Sequence, residues 1–217
     1  MELACGERLH YPSGVVLVVA GLPGAGKTTF IARLFHGAEI TIIDPDHLRE
    51  RYGRWLPGVP YRAYRPLVHF VHYRRVAGAL RRPEPGPATG SATGSAGTVV
   101  VHETTRPLAR RWLSGRAARA GRPLHLIALD VPEDVALQGQ ASRGRVLNKA
   151  AFQRHCRRWR AFRGTRTAAP ERYASVLVLD RAGADALRAV SFLPNAGMAR
   201  PGAAGCGAPA QGAGPGA

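Results

Sequence analysis

Apolar residues along this chain fall into short, unbroken runs rather than strict alternation. Five of them stand out: Val15–Ala20, Ile40–Asp44, Thr98–His102, Leu124–Asp130 and Ser175–Asp180. Continuous apolar runs of this length are what parallel strands buried on both faces require. The longer segments between them carry apolar residues at helical spacing, and strands alternating with helices predict a doubly wound parallel sheet. The expected fold is a three-layer α/β domain over residues 13–190 with a five-stranded parallel sheet. Two stretches fall outside that pattern. Pro83–Gly97 is rich in Pro, Gly, Ser, Thr and Ala and reads as a flexible insert before the third strand. Residues 194–217 are rich in Gly, Ala and Pro, with little apolar surface to offset the entropy of ordering, and read as a disordered tail.

The first run leads directly into Gly21-Leu22-Pro23-Gly24-Ala25-Gly26-Lys27-Thr28-Thr29, followed by a helix expected from Thr28 to about His36. This is the strand–loop–helix setting of a phosphate-binding P-loop. Glycines at 21, 24 and 26 let backbone N–H groups point into one concavity that a Cβ would obstruct. The helix N-terminus adds about half a positive charge toward an anion. Lys27 would reach the β- and γ-phosphates of a nucleotide, and the Thr28 hydroxyl would ligate Mg²⁺.

The second run ends in Asp44-Pro45-Asp46-His47-Leu48-Arg49. The carboxyl ends of strands in open α/β sheets form the ligand crevice. Asp46 and Arg49, three residues apart on the first turn of a helix, share a face. A carboxylate there could accept a proton from an attacking hydroxyl while the guanidinium holds an anionic acceptor. Asp44 or Asp46 serving simply as a helix N-cap is the alternative, and the two roles are compatible.

A P-loop followed by D-x-D-x-x-R resembles the AAA-domain, kinase-like group of P-loop proteins that includes polynucleotide 5′-hydroxyl kinases and zeta toxins. The resemblance covers roughly residues 13 to 180. It implies ATP rather than GTP as the nucleotide, Asp46 as general base and Arg49 as a substrate contact. It also implies a third strand beside the P-loop strand, and so a sheet order of 2-3-1-4-5. The third run continues as His102-Glu103-Thr104-Thr105, where Glu103-x-Thr105 is similar to the E-G-T segment that helps zeta toxins bind their acceptor. His102 before the acid and Thr104 in place of Gly depart from that pattern. Glu103 therefore stays open between an acceptor or metal-positioning role and a structural one. His102, His69 and His72 read as structural. Leu129-Asp130-Val131-Pro132-Glu133-Asp134 reads as the opening of the helix leading to a lid.

After that helix comes Ser142-Arg143-Gly144-Arg145, and small P-loop kinases place an R-x-R or R-x-x-R element there to neutralise the transferring phosphoryl group. Arg143 and Arg145 are candidates for that role, with a solvated arginine run as the alternative. The next helix, from Asn148 to about Arg163, carries Phe152, Cys156, Trp159 and Phe162 at three- and four-residue spacing. That stripe reads as core rather than as a base-stacking platform. A helix from Arg106 to Arg122 adds six arginines and no acid. The two segments together could form a basic funnel for ATP and a phosphorylated acceptor, or track a nucleic-acid backbone.

Composition changes this picture in only a few respects. The formal charge is +17, but only two of 31 basic residues are lysines, Lys27 and Lys149, and the arginine bias is what a GC-rich genome writes onto any surface. Part of the charge remains as a signature of an anionic partner. Cys5, Cys156 and Cys206 are scattered, so neither a disulfide framework nor a zinc site is expected. The longest apolar run is far too short to span a bilayer, and a cytoplasmic protein is expected. Three functions remain: an ATP- and Mg²⁺-dependent kinase acting on a hydroxyl acceptor, an ATPase or switch without an acceptor, and a nucleic-acid-associated ATP-binding protein.

Overall fold

In the computed structural model the described residues are 8–35, 40–81, 98–102, 106–142, 148–164 and 173–193. The expected insert and tail lie outside them. The strands are β1 (Arg8–Pro12), β2 (Val16–Gly21), β3 (Ile40–Ile43), β4 (Thr98–His102), β5 (Leu124–Leu129), β6 (Ser175–Leu179) and β7 (Ala189–Leu193). The helices are α1 (Lys27–Leu34), α2 (Pro45–Trp55), α3 (Tyr61–Leu80), α4 (Pro107–Arg119), α5 (Glu133–Ala141), α6 (Lys149–Gly164) and α7 (Arg181–Ala186).

Five strands form one parallel sheet in the order β3-β4-β2-β5-β6; the apolar runs announced the strands, and the order is the one the resemblance implied. Its three central strands, β2, β4 and β5, are buried at every position, as double-sided coverage by helices demands. The edge strands β3 and β6 are only partly buried. Phe152, Cys156, Trp159 and Phe162 of α6 are all buried, which settles that stripe as core. Trp159 Nε1 donates to Asp130 Oδ1 at 3.0 Å, and Arg163 pairs with the other Asp130 oxygen at 3.1 Å. Helix α6 is thereby fastened to the carboxyl end of β5.

Two features were not expected. Strands β1 and β7 pair in parallel as a separate two-stranded sheet, joining the two ends of the described chain. Its segments escaped the apolar-run criterion because Arg8-Leu9-His10-Tyr11-Pro12 is mixed in character. Tyr11 anchors it instead, edge-on to His125 at 5.1 Å and stacked near Phe192 at 6.3 Å.

The second concerns the basic funnel. Helix α4 ends at Arg119, and two of the arginines assigned to that surface are interior. Arg110 is buried with its guanidinium 4.4 Å from the centre of the Phe162 ring. Arg122 is buried and donates to the carbonyls of Gly14, Ala79 and Val15 at 2.7, 3.2 and 3.3 Å. It ties the entry to β2 to the end of α3. Arg122→Met should strip this donor from the Gly14 and Ala79 carbonyls, while Val15 keeps the Val99 N–H, and destabilise the fold by about 2–4 kcal/mol in chemical denaturation. A change below about 0.5 kcal/mol, the range of an ordinary surface substitution, would contradict this role.

Candidate functional site

Strand β2 ends where only glycine fits. A Cβ on Gly21 would lie 2.8 Å from the Leu129 carbonyl oxygen of neighbouring β5. The chain then turns through Gly24 and Gly26, both left-handed at φ 91° and 86°, a conformation that disfavours side chains. Gly26 is the N-cap of α1 and offers no side-chain cap, so the first N–H groups of the helix remain available to an anion. Lys27 is buried, and its Nζ donates to the Gly21 and Leu22 carbonyls at 2.9 and 2.8 Å, folding the cation against its own loop.

The loop is braced from outside by α5, a contact no motif announces. A Cβ on Gly139 would fall 2.3 Å from the Gly24 carbonyl oxygen, and one on Gly24 would fall 1.9 Å from the Ala136 carbonyl oxygen. Beside them Gln140, itself buried, donates to the Pro23 carbonyl at 3.0 Å. Backbone thus packs on backbone, and helix α5 sets the curvature of the phosphate loop.

On the β3–β4 flank of the loop lies Asp44. It is the N-cap of α2: its Oδ1 accepts from the Asp46 N–H at 2.8 Å, with Pro45 opening the helix. The same oxygen accepts from His102 Nδ1 at 2.8 Å, and Oδ2 lies 3.4 Å from the Thr28 hydroxyl. Burial pushes this carboxyl up, but the hydrogen bond and charge of His102, the Asp46 N–H and His47 outweigh it and hold it at about 2. A buried, ionised carboxylate therefore stands beside the P-loop hydroxyl. Asp44 was legible as a cap; its partnership with His102 and Thr28 was not, because it needs three elements brought together.

Asp46 lies in the first turn of α2 and Arg49 three residues on, both half-buried. The Arg49 guanidinium sits 4.3 Å from the centre of the Tyr61 ring at the start of α3. Burial raises the Tyr61 pKa, with Arg49 and Arg65 opposing and Asp46 adding to the rise, so these groups share one environment. Burial, then His69 and His102, push His72 down to about 4, which keeps this interior imidazole neutral. Glu103, Thr105, Arg143 and Arg145 lie outside the described residues.

The β5–β6 flank carries a cleft of about 340 Å³ bordered by the loop residues Gly24 to Gly26 and by Thr29, Arg33 and Arg181. Arg33 is fixed by the Ala184 and Asp185 carbonyls, and Arg181 by the Asp185 carboxylate at 2.9 Å. Sequence reasoning missed both arginines. The one available signal was that Arg181 follows the carboxyl end of the fifth apolar run.

Residues 16–169 match the family model AAA_33, described as an AAA domain. The chain belongs to this family. The AAA domain also resembles solved structures. One is a candidate kinase from Chloroflexus aurantiacus, at 14% identity and TM-score 0.53, covering 77% of this chain and 88% of that one. Another is the PezAT chromosomal toxin–antitoxin system of Streptococcus pneumoniae, at 14% identity and TM-score 0.52, covering 81% of this chain and 70% of that one. At such identities the likeness shows a shared P-loop kinase-like fold. No curated protein matches the chain. Among the described residues no helix is long and apolar enough to cross a membrane, and no cluster of three His, Cys, Asp or Glu could hold a metal ion.

Gly139→Ala tests the bracing of the loop. The added methyl meets backbone rather than a flexible side chain, so the loop must shift. Nucleotide affinity should fall at least about 10-fold by titration calorimetry, roughly 1.4 kcal/mol or more, with the far-ultraviolet circular dichroism retained. Unchanged affinity would show that α5 does not set the loop.

Proposed function

We propose that this AAA domain transfers the γ-phosphoryl group of ATP to a hydroxyl group. The observation that carries this reading is the meeting of Thr28 with the ionised, buried Asp44 beside the phosphate loop, with Asp46 and Arg49 following at the start of α2. Mg²⁺ fits this pair. It takes one or two protein oxygens, keeps several waters and accepts the rest of its shell from phosphates. Bound between Thr28 and Asp44, it would offset charge on the β- and γ-phosphates. The loop N–H groups and Lys27 would hold those phosphates.

On this reading the two substrates lie on opposite sides of the loop. Strand β2 delivers the phosphate loop at the centre, β4 and β3 lie to one side, and β5 and β6 to the other. The nucleoside belongs over the β5–β6 flank, against Thr29, Arg33 and Arg181. The acceptor belongs over the β3–β4 flank, where Asp46 would take the hydroxyl proton as the oxygen attacks phosphorus and ADP departs. Arg49, braced on Tyr61, would orient the acceptor. On sequence grounds, Glu103 and Thr105 join the acceptor contacts, and Arg143 and Arg145 neutralise the moving phosphoryl group. ATP is preferred to GTP because the chain carries no N/T-K-x-D guanine-reading motif and resembles ATP-dependent kinases.

Transfer from γ-³²P-ATP to a panel of nucleosides, 5′-hydroxyl oligonucleotides, sugars and aminoglycosides tests the reading. A labelled product should appear and vanish with Lys27→Ala. Asp46→Asn should lower kcat by about 10²–10⁴ while leaving nucleotide affinity intact. Full activity in Asp46→Asn would remove the assigned base. ATP hydrolysis without any labelled acceptor would overturn the kinase in favour of an ATPase.

A further inference from the structure

Beside the acceptor flank lies a second cleft of about 490 Å³, lined in part by Tyr73, Arg106, Trp112 and Arg158. Tyr73 comes from α3, Trp112 from α4 and Arg158 from α6, and Arg106 immediately precedes α4. The Tyr73 and Trp112 rings meet edge-to-face at 5.1 Å and form an aromatic wall. Two guanidiniums complete it.

Arginines around this cleft differ in their surroundings. Arg160 is paired with both oxygens of Glu133, and Arg163 with Asp130, so both brace the helix. Arg158 and Arg106 make no ion pair among the described residues. Their charge also reaches one neighbouring imidazole. His155, one turn before Arg158, is pushed down to about 4, first by burial and then by the positive charge of Arg158, Arg106, Lys27 and Arg65. His69 is lowered by burial and by Arg106 and Arg65. Like charges gathered at a partly desolvated cleft repel one another, and an anion between them removes that penalty. Guanidiniums match phosphate oxygens in geometry as well as charge, and aromatic walls pack against a carbon skeleton.

We propose that this cleft binds a phosphate group already present on the acceptor. The molecule phosphorylated at its hydroxyl is itself a small phosphate ester, gripped by Arg106 and Arg158 and packed against Tyr73 and Trp112. The assignment rests on the kinase reading for its role and on the cleft alone for its binding chemistry. A small molecule is indicated over a strand of nucleic acid because the volume is that of a small-ligand pocket, roughly 300–1,000 Å³.

The test uses full-length protein with its nucleotide site filled by Mg²⁺ and a non-hydrolysable ATP analogue. Matched pairs are titrated calorimetrically: ribose and ribose 5-phosphate, glucose and glucose 6-phosphate, uridine and uridine 5′-monophosphate. At least one phosphorylated member should bind at least about 10-fold tighter than its partner. Arg158→Ala and Arg106→Ala should each remove most of that preference, with Arg106→Gln as a milder change at the start of α4. Arg8→Ala, in β1, removes equal charge elsewhere and should leave the preference intact. No preference in any pair, a preference untouched by both cleft substitutions, or one lost equally in Arg8→Ala would overturn the proposal. So would an oligonucleotide that outcompetes every phosphorylated small molecule through the same two arginines. Label transfer on the same panel separates the two readings. A preference without transfer supports the cleft and refutes the kinase. Equal transfer to phosphorylated and unphosphorylated partners refutes the cleft and leaves the kinase standing.

Discussion

One carboxylate holds the β3–β4 flank of the phosphate loop together. Asp44 caps α2, receives the His102 imidazole from β4 and faces the Thr28 hydroxyl at the start of α1. A buried charge is tolerated only when donors surround it. Here the cap N–H and the imidazole supply them, and the price of burying the charge becomes the means of keeping it ionised. Because Asp44 is a cap, its position fixes the first turn of α2, and with it where Asp46 and Arg49 stand relative to the phosphate loop.

The loop itself is shaped by contacts between backbones. Gly21 lies against β5, and Gly24 and Gly139 allow α5 to touch the loop directly. Its conformation therefore depends on helix packing rather than on local turn preference alone. The parallel sheet leaves one flank on each side of that loop, β4 and β3 on one and β5 and β6 on the other, and the proposed reaction would assign the acceptor hydroxyl to the first and the nucleoside to the second.

Much of this was legible in the sequence because it follows from local pattern. Runs such as Val15–Ala20 and Leu124–Asp130 announce strands buried on both faces, and glycine spacing before Lys27 announces an anion cradle. The order of the five strands came from the family resemblance, and the sheet has that order. What remained hidden depends on tertiary encounters. Nothing local to Gly139 says that it must face Gly24, nor does the sequence around Arg122 distinguish an interior arginine holding three carbonyls from a surface one. The β1–β7 pair joins opposite ends of the chain and was invisible for the same reason. Arg106 and Arg158 looked like two of many arginines until the fold brought them to one cleft with Tyr73 and Trp112.

Magnesium dependence of ATP-analogue binding, compared between the native chain and Asp44→Asn, tests the central claim most directly. Asparagine caps helices as well as aspartate and is nearly isosteric, so the substitution removes the charge while retaining α2. If Asp44 and Thr28 jointly receive the ion, Mg²⁺ should tighten nucleotide binding in the native chain, and that gain should fall at least about 10-fold in Asp44→Asn. An equal Mg²⁺ effect in both proteins, with α2 intact by circular dichroism, would contradict the account.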